Sequence, residues 1–234
     1  MFTINLAGIK IRIDHKYEFV KRQCFDYIIT DDSYDFAVSV SDEDLETERK
    51  IGEPGLPDGY LESVCIYRAI ASKLPEYNAL LFHCAAIEFQ GNAYCFTAKS
   101  GTGKTTHINL WRKTFGKDVK IINGDKPIIR FFDDEISVFG TPWCGKENLQ
   151  RNVSAPLRSV CIIKQAPENK IVKLSNRDAL NRLLHQFYFP KSKENAEKTI
   201  SLLGKLLSSV SVWELECNIS EEAAKTSFNA LTKG

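Results

Sequence analysis

The 234-residue sequence has no apolar run near the ~18 residues needed to cross a bilayer; its longest are of the type ALLFHCAAIEF. Nor does it open with a basic start, an apolar stretch and a small-residue cleavage site, so a cytoplasmic location and no membrane partner are expected. C-x-x-C spacing is missing, and seven cysteines are an odd number. Neither a disulfide framework nor a zinc site is implied, and a reducing compartment is the simpler reading. Charge of one sign is also missing: 31 Lys and Arg against 30 Asp and Glu leave a net +1, which points to no nucleic-acid partner. No repeat of roughly 20 to 50 residues is visible, which sets aside solenoids and propellers. At 43% hydrophobic and 26% charged, the chain is neither disordered nor collagen-like, and its length allows one or two domains.

FTINLAGIKIRI alternates like a first strand, and the charge cluster DEDLETERK reads as a solvated loop. Residues 52–59 (GEPGLPDG) are the best candidate linker, giving a small N-terminal region over 1–58 and a second domain over 59–234. LESVCIYRAIASKL then has the spacing of a core-facing helix. NALLFHCAAIEFQGNAYCFTA reads as two strands turning at Gln90-Gly91-Asn92, and THINLWRKTFG as a helix. Strands are expected at VKIIN, around Asp133-Asp134, at LRSVCIIKQ, KIVKLS and SVWELEC. Helices are expected over 176–189, over 193–208 and from 220. The pattern is α/β, with a mixed sheet and helices.

The strongest signal is AKSGTGKTT at residues 98–106, between a predicted strand and a predicted helix. Gly101 and Gly103 can take positive φ, so that loop N–H groups curl around a phosphate at a helix N-terminus. Ser100 and Thr102 complete the loop. Lys104 would reach the β and γ phosphates, Thr105 would join a Mg²⁺ shell, and Thr106 could bond the α phosphate. Where such P-loops usually begin with Gly, this one has Ala98. The expected ligands are therefore ATP and Mg²⁺. The Mg²⁺-binding carboxylate is sought at the end of the next strand, and KIINGDKP supplies Asp125 there. A turn-capping role for Asp125 is the competing reading.

Three pieces together, the His-containing stretch FHCAAIEFQGNAYCFTA, the loop KSGTGKTT and the acidic turn INGDKP, resemble the HPr kinase/phosphorylase catalytic domain and its HPr-kinase-like group. That group shares a nucleotide fold with ATP-dependent phosphoenolpyruvate carboxykinases. The resemblance spans residues 80–161. It implies a P-loop kinase core in which His83 lies beside the phosphates, and Asp125 binds Mg²⁺ and takes the proton from a substrate serine hydroxyl. Read from its apolar surroundings alone, His83 is as readily a satisfied core histidine. The family's turn carries adjacent aspartates, whereas here Gly124 precedes Asp125 and Lys126 follows it. Residues 140–152 (GTPWCGKENLQRN) stand in place of the family's later signature, which points away from HPr as the acceptor.

Within 140–152, Trp143, Lys146, Glu147 and Arg151 are candidates to cover a nucleotide or read a substrate, and a structural loop is the alternative. Glu147 is a candidate second carboxylate, and Cys144 a candidate thiol more often inert. His107 and His185, in predicted helices, are read as incidental. The leading expectation is an ATP-dependent kinase acting on a hydroxyl of a peptide, small protein or free amino acid. Alternatives are a phosphoenolpyruvate-carboxykinase-like enzyme acting on a carboxylic acid, and a non-catalytic ATP-binding sensor or assembly module. A homo-oligomer is compatible with any of these.

Overall fold

The opening segment folds back on itself in the computed structural model, which describes residues 1–233. Strands β1 (Phe2–Leu6) and β2 (Ile9–Ile13) form an antiparallel hairpin in place of the single expected strand. Ala7 and Gly8 turn the corner with φ of 54° and 78°, the two left-handed residues of a tight hairpin. Alanine is a poor signal for that conformation, which is why alternation alone missed the turn. Helix α1 (Glu18–Gln23) and strands β3 (Ile28–Ile29) and β4 (Phe36–Val38) complete a sheet ordered β3-β1-β2-β4.

The acidic cluster expected to be a loop is helix α2 (Asp42–Ile51). Ser41 accepts the Asp44 N–H, and the Asp44 carboxylate accepts the Ser41 N–H, a reciprocal cap that satisfies two end donors. Acidic residues in its first turn and Arg49 and Lys50 in its last complement the helix dipole. Helix α3 (Asp58–Lys73) begins where the linker was expected to end. It buries Leu61, Ile66 and Ile70 in one core with Ile4, Ile11 and Ile13 of the N-terminal sheet. Leu81, Ile128 and Trp143 enter the same core from later in the chain, so the N-terminal sheet is packed directly against the second region.

The larger sheet takes β5 (Ala79–Leu81), β6 (Ala85–Phe89), β7 (Asn92–Thr97), β8 (Val119–Asn123), β9 (Ile128–Phe131), β10 (Ile136–Phe139) and β11 (Ser154–Gln165) in the order β5-β9-β10-β11-β7-β6-β8. Strands β12 (Lys170–Lys173) and β13 (Ser211–Cys217) extend it, with β13 on β11. β7, β11 and β13 run parallel, and the remaining neighbours are antiparallel. The fold is therefore mixed α/β. Parallel strands need helices on both faces. Helices α5 (Asn176–Leu183) and α6 (Lys193–Ser209) cover one face through Leu183, Leu203 and Leu206, and α4 (Lys104–Phe115) and α7 (Glu221–Lys233) cover the other.

Helix 176–189 is shorter than expected. After a 3₁₀ turn over Leu184–Gln186 the chain is extended, and Phe187 stacks on Phe82 with centroids 4.3 Å apart. On the opposite face Trp111 is fully buried among Phe89, Phe96, Phe115 and Phe228, and its indole N–H donates to Ser227 Oγ at 2.8 Å. Truncating such a side chain costs about 3–5 kcal/mol. This packing fixes α4, and with it the loop from which α4 starts. No helix among the described residues is long and apolar enough to cross a membrane.

Candidate active site

Strand β7 runs straight into the glycine-rich loop, and α4 leaves it at Lys104. Gly101 and Gly103 have φ of +77° and +109°, the left-handed values that let successive amides turn toward one point. Space beyond the Gly101 Cα is open. Ala98 is buried and keeps negative φ, so that position does not need glycine. Gly103 is the N-cap and supplies no side chain, so no side chain caps the first amides of α4. Thr105 is half-buried and Thr106 exposed on the first turn, while Ser100 and Thr102 lie in the loop itself.

Lys104 points inward and is only 9% exposed, and burial lowers its pKa. Among the described residues it makes no ion pair. Its Nζ instead lies 3.0 Å from His83 Nε2. The same Nε2 lies 3.0 Å from Asp125 Oδ1, and Lys126 Nζ is 3.2 Å from Oδ2. Burial pushes the Asp125 carboxyl up, but the His83 hydrogen bond and the Lys126 charge outweigh it and hold the pKa at about 2. Asp125 is thus ionised at any ordinary pH. One ring nitrogen cannot both donate to Asp125 and accept from Lys104, so the position of the His83 proton selects one contact over the other.

His83 lies just before β6 and is held through its main chain. Its N–H donates to the Gln186 carbonyl at 2.7 Å, and its carbonyl accepts the Thr97 hydroxyl at 2.8 Å. Asp125 is set by a turn that Asn123 organises: the buried Asn123 Oδ1 accepts the N–H groups of Asp125 and Lys126 at 2.8 and 2.7 Å. Asn123, Gln186 and Thr97 were not picked out from the sequence. Asn-Gly-Asp does carry an Asx-turn signal for Asn123, whereas nothing local marks Gln186, which arrives from a distant helix.

Residues 140–152 form a strap across this turn. Gly124 N–H donates to Leu149 O at 2.7 Å, and Thr141 Oγ1 donates to Lys126 O at 2.7 Å. A Cβ on Gly124 would stand 2.9 Å from the Cys144 carbonyl oxygen, so the strap leaves no room for a side chain before Asp125. Gly145, at φ +79°, passes over Asp125 itself, where a Cβ would stand 3.3 Å from the Asp125 Cβ. Trp143, a candidate to cover a ligand, takes the structural alternative: it is 6% exposed in the N-terminal core, with its indole N–H on Ser63 Oγ at 2.9 Å. It fastens the strap and has no free face for a substrate. Lys146, Glu147 and Arg151 are exposed on the strap. Cys144 is buried, and burial together with nearby Asp125 raises its thiol pKa, the opposite of an activated cysteine. His185 sits in the 3₁₀ turn that leads into Gln186.

The arrangement fits a phosphate chain: uncapped helix amides, a loop without side chains at its two turning points, and a desolvated ammonium without a carboxylate partner among the described residues. For a metal, no group of three His, Cys, Asp or Glu side chains exists among the described residues. Mg²⁺ does not need one, because it keeps several waters and is held by one or two carboxylates plus substrate phosphates. Asp125 and the Thr105 hydroxyl suffice by donor chemistry.

No protein-family model matches the sequence, and no curated protein sequence does. Among solved structures the chain is similar to the Hpr(Ser) kinase/phosphatase from Coxiella burnetii, at 6% identity and a TM-score of 0.35, over 66% of this chain and 99% of that one.

Proposed function

We propose that the chain is an ATP- and Mg²⁺-dependent phosphotransferase of the HPr-kinase-like kind that moves the γ-phosphoryl group to a hydroxyl, foremost that of a serine in a peptide, a small protein or the free amino acid. The observation that carries this reading is the buried Lys104 ammonium, unpaired by any carboxylate among the described residues and 3.0 Å from a histidine that also contacts Asp125. An anion is the partner such a cation lacks. The loop amides and Lys104 would hold the β and γ phosphates, with Thr106 at the α phosphate, and Thr105 and Asp125 would hold Mg²⁺. When bound, Mg²⁺ offsets negative charge on the transferring phosphoryl group.

With Lys104 turned to phosphate, His83 Nε2–H is free to donate to Asp125 Oδ1 and fix that carboxylate. His83 would also lie against the γ phosphate. Asp125 would orient the acceptor hydroxyl. In the transfer the acceptor oxygen bonds to phosphorus, the bond to the ADP oxygen breaks, and the hydroxyl proton passes to the Asp125 carboxylate. A carboxylate this acidic is a weak base, which suits a loose transition state where the proton leaves late and positioning dominates. Lys146, Glu147 and Arg151 on the strap are the side chains offered to the acceptor.

The test is to incubate the protein with γ-labelled ATP, Mg²⁺ and host lysate, small molecules included. Label in an acid-stable, alkali-labile product is the phosphoserine result expected. Label in an acid-labile acyl phosphate would favour the carboxylic-acid reading, and ATP binding with no transfer would favour a sensor.

A further inference from the structure

Beside the glycine-rich loop lies a cavity of about 660 Å³, within the ~300–1,000 Å³ usual for small-molecule sites. Its floor is made by the carboxyl ends of the parallel strands β11 and β13 through Ile163, Ala166 and Cys217, and its side by Leu110 of α4. Gly101, Thr102, Gly103 and Thr106 line it too, so it opens directly onto the phosphate loop. Crevices at the carboxyl ends of parallel strands are where open α/β sheets take ligands. Ile219 stands at its mouth 79% exposed, an aliphatic side chain with no protein surface to cover it.

The wall is also electrically neutral. Its one ionisable imidazole, His107, is 2% exposed, its Nε2 lies 3.0 Å from Ser227 Oγ, and its Nδ1 has no partner. Burial lowers the His107 pKa to about 4, so the ring is uncharged near neutrality. The two amide side chains at the rim each donate to the main chain, Gln165 to the Thr102 carbonyl at 3.1 Å and Asn218 to the Pro167 carbonyl at 2.8 Å. Away from the loop, an anion or a sugar would find few partners on this wall, whereas a flat, neutral heterocycle would find apolar contact on its faces.

We infer that this cavity is the nucleobase subsite, gripping the base through Leu110, Ile163 and Ile219 while the attached phosphates lie on the loop at Gly101–Gly103 and Lys104. The inference rests on the reading of that loop as a phosphate site. Ile219, which the sequence did not mark, becomes a nucleotide-binding residue.

The test separates base from phosphate by titrating MgATP and magnesium tripolyphosphate calorimetrically into the wild type, Ala166→Trp, Ile219→Ser and Lys104→Ala. ATP should bind the wild type about 30-fold more tightly than tripolyphosphate. Ala166→Trp, which fills the cavity, should weaken ATP about tenfold or more, and Ile219→Ser about fivefold, both leaving tripolyphosphate within about twofold. Ile219 is exposed, so its variant keeps the question answerable if the tryptophan disturbs folding. Equal wild-type affinity for the two ligands, or unchanged ATP affinity in folded Ala166→Trp and Ile219→Ser, would overturn the inference alone. If neither ligand binds the wild type, or Lys104→Ala binds both as the wild type does, the loop reading falls and the inference with it.

Discussion

His83 Nε2 and Asp125 Oδ1 lie 3.0 Å apart, on two adjoining segments beside the paired strands β6 and β8, each held through its main chain. Gln186 and Thr97 hold the His83 main chain and Asn123 holds that of Asp125, while the ring and the carboxylate are oriented by each other and by Lys104 and Lys126. Lys104 completes the group, and its position sets up an opposition between stability and binding.

A buried ammonium without a carboxylate partner costs the fold some of the solvation it gave up. Lys104→Met should therefore raise the melting temperature by a few degrees, about 1 kcal/mol, while weakening MgATP by at least about 30-fold. Calorimetric melting and ATP titration on the same sample check both halves. A variant both less stable and unchanged in ATP affinity would mean the lysine is structural.

Two pH windows separate the buried His107 from the half-buried Asp125. His107 titrates at about 4 in the fold against an ordinary 6.5, so the unfolded chain takes its proton first. Stability should fall between pH 6.5 and 4, by up to about 3 kcal/mol, and His107→Gln should flatten that window. Asp125 titrates at about 2 against 3.8. Its stabilisation, about 2 kcal/mol, is fully present above pH 4 and lost as pH falls through 2, and Asp125→Asn should remove that limb. Urea midpoints across pH 2 to 7 read both.

Restoring the adjacent carboxylate by Gly124→Asp should not make a better enzyme. The new Cβ meets the Cys144 carbonyl at 2.9 Å and Leu149 at 3.3 Å, so the strap has to move. A loss of about 1–3 kcal/mol is expected, together with lower transfer activity, read by thermal melting and the labelled-ATP assay.

Much of this site was legible in the chain, because its chemistry is local. The loop at 98–106 needs a strand before it, a helix after it and two glycines, and all of these are visible in sequence. The Asp125 turn likewise sits at the end of an apolar strand. What was hidden depends on contacts far apart in the chain. Trp143 reads as an aromatic on a polar loop, and only the approach of α3 brings Ser63 to its indole. Gln186 and Ile219 gain their roles from neighbours over a hundred residues away or from an empty space, which no local pattern encodes. The Ala7-Gly8 turn and the capped helix at 42–51 failed for a different reason: a pair of left-handed residues and a reciprocal cap outweighed composition.

The central claim is that Asp125 acts chiefly in phosphoryl transfer, with the loop and Lys104 holding the nucleotide and Asp125 adding one Mg²⁺ contact. Single-turnover transfer from γ-labelled ATP, measured beside ATP affinity in the wild type and Asp125→Asn, tests it most directly. ATP affinity within about threefold, with transfer slowed by about 100-fold or more, is the expected result. Transfer at the wild-type rate in Asp125→Asn would contradict it.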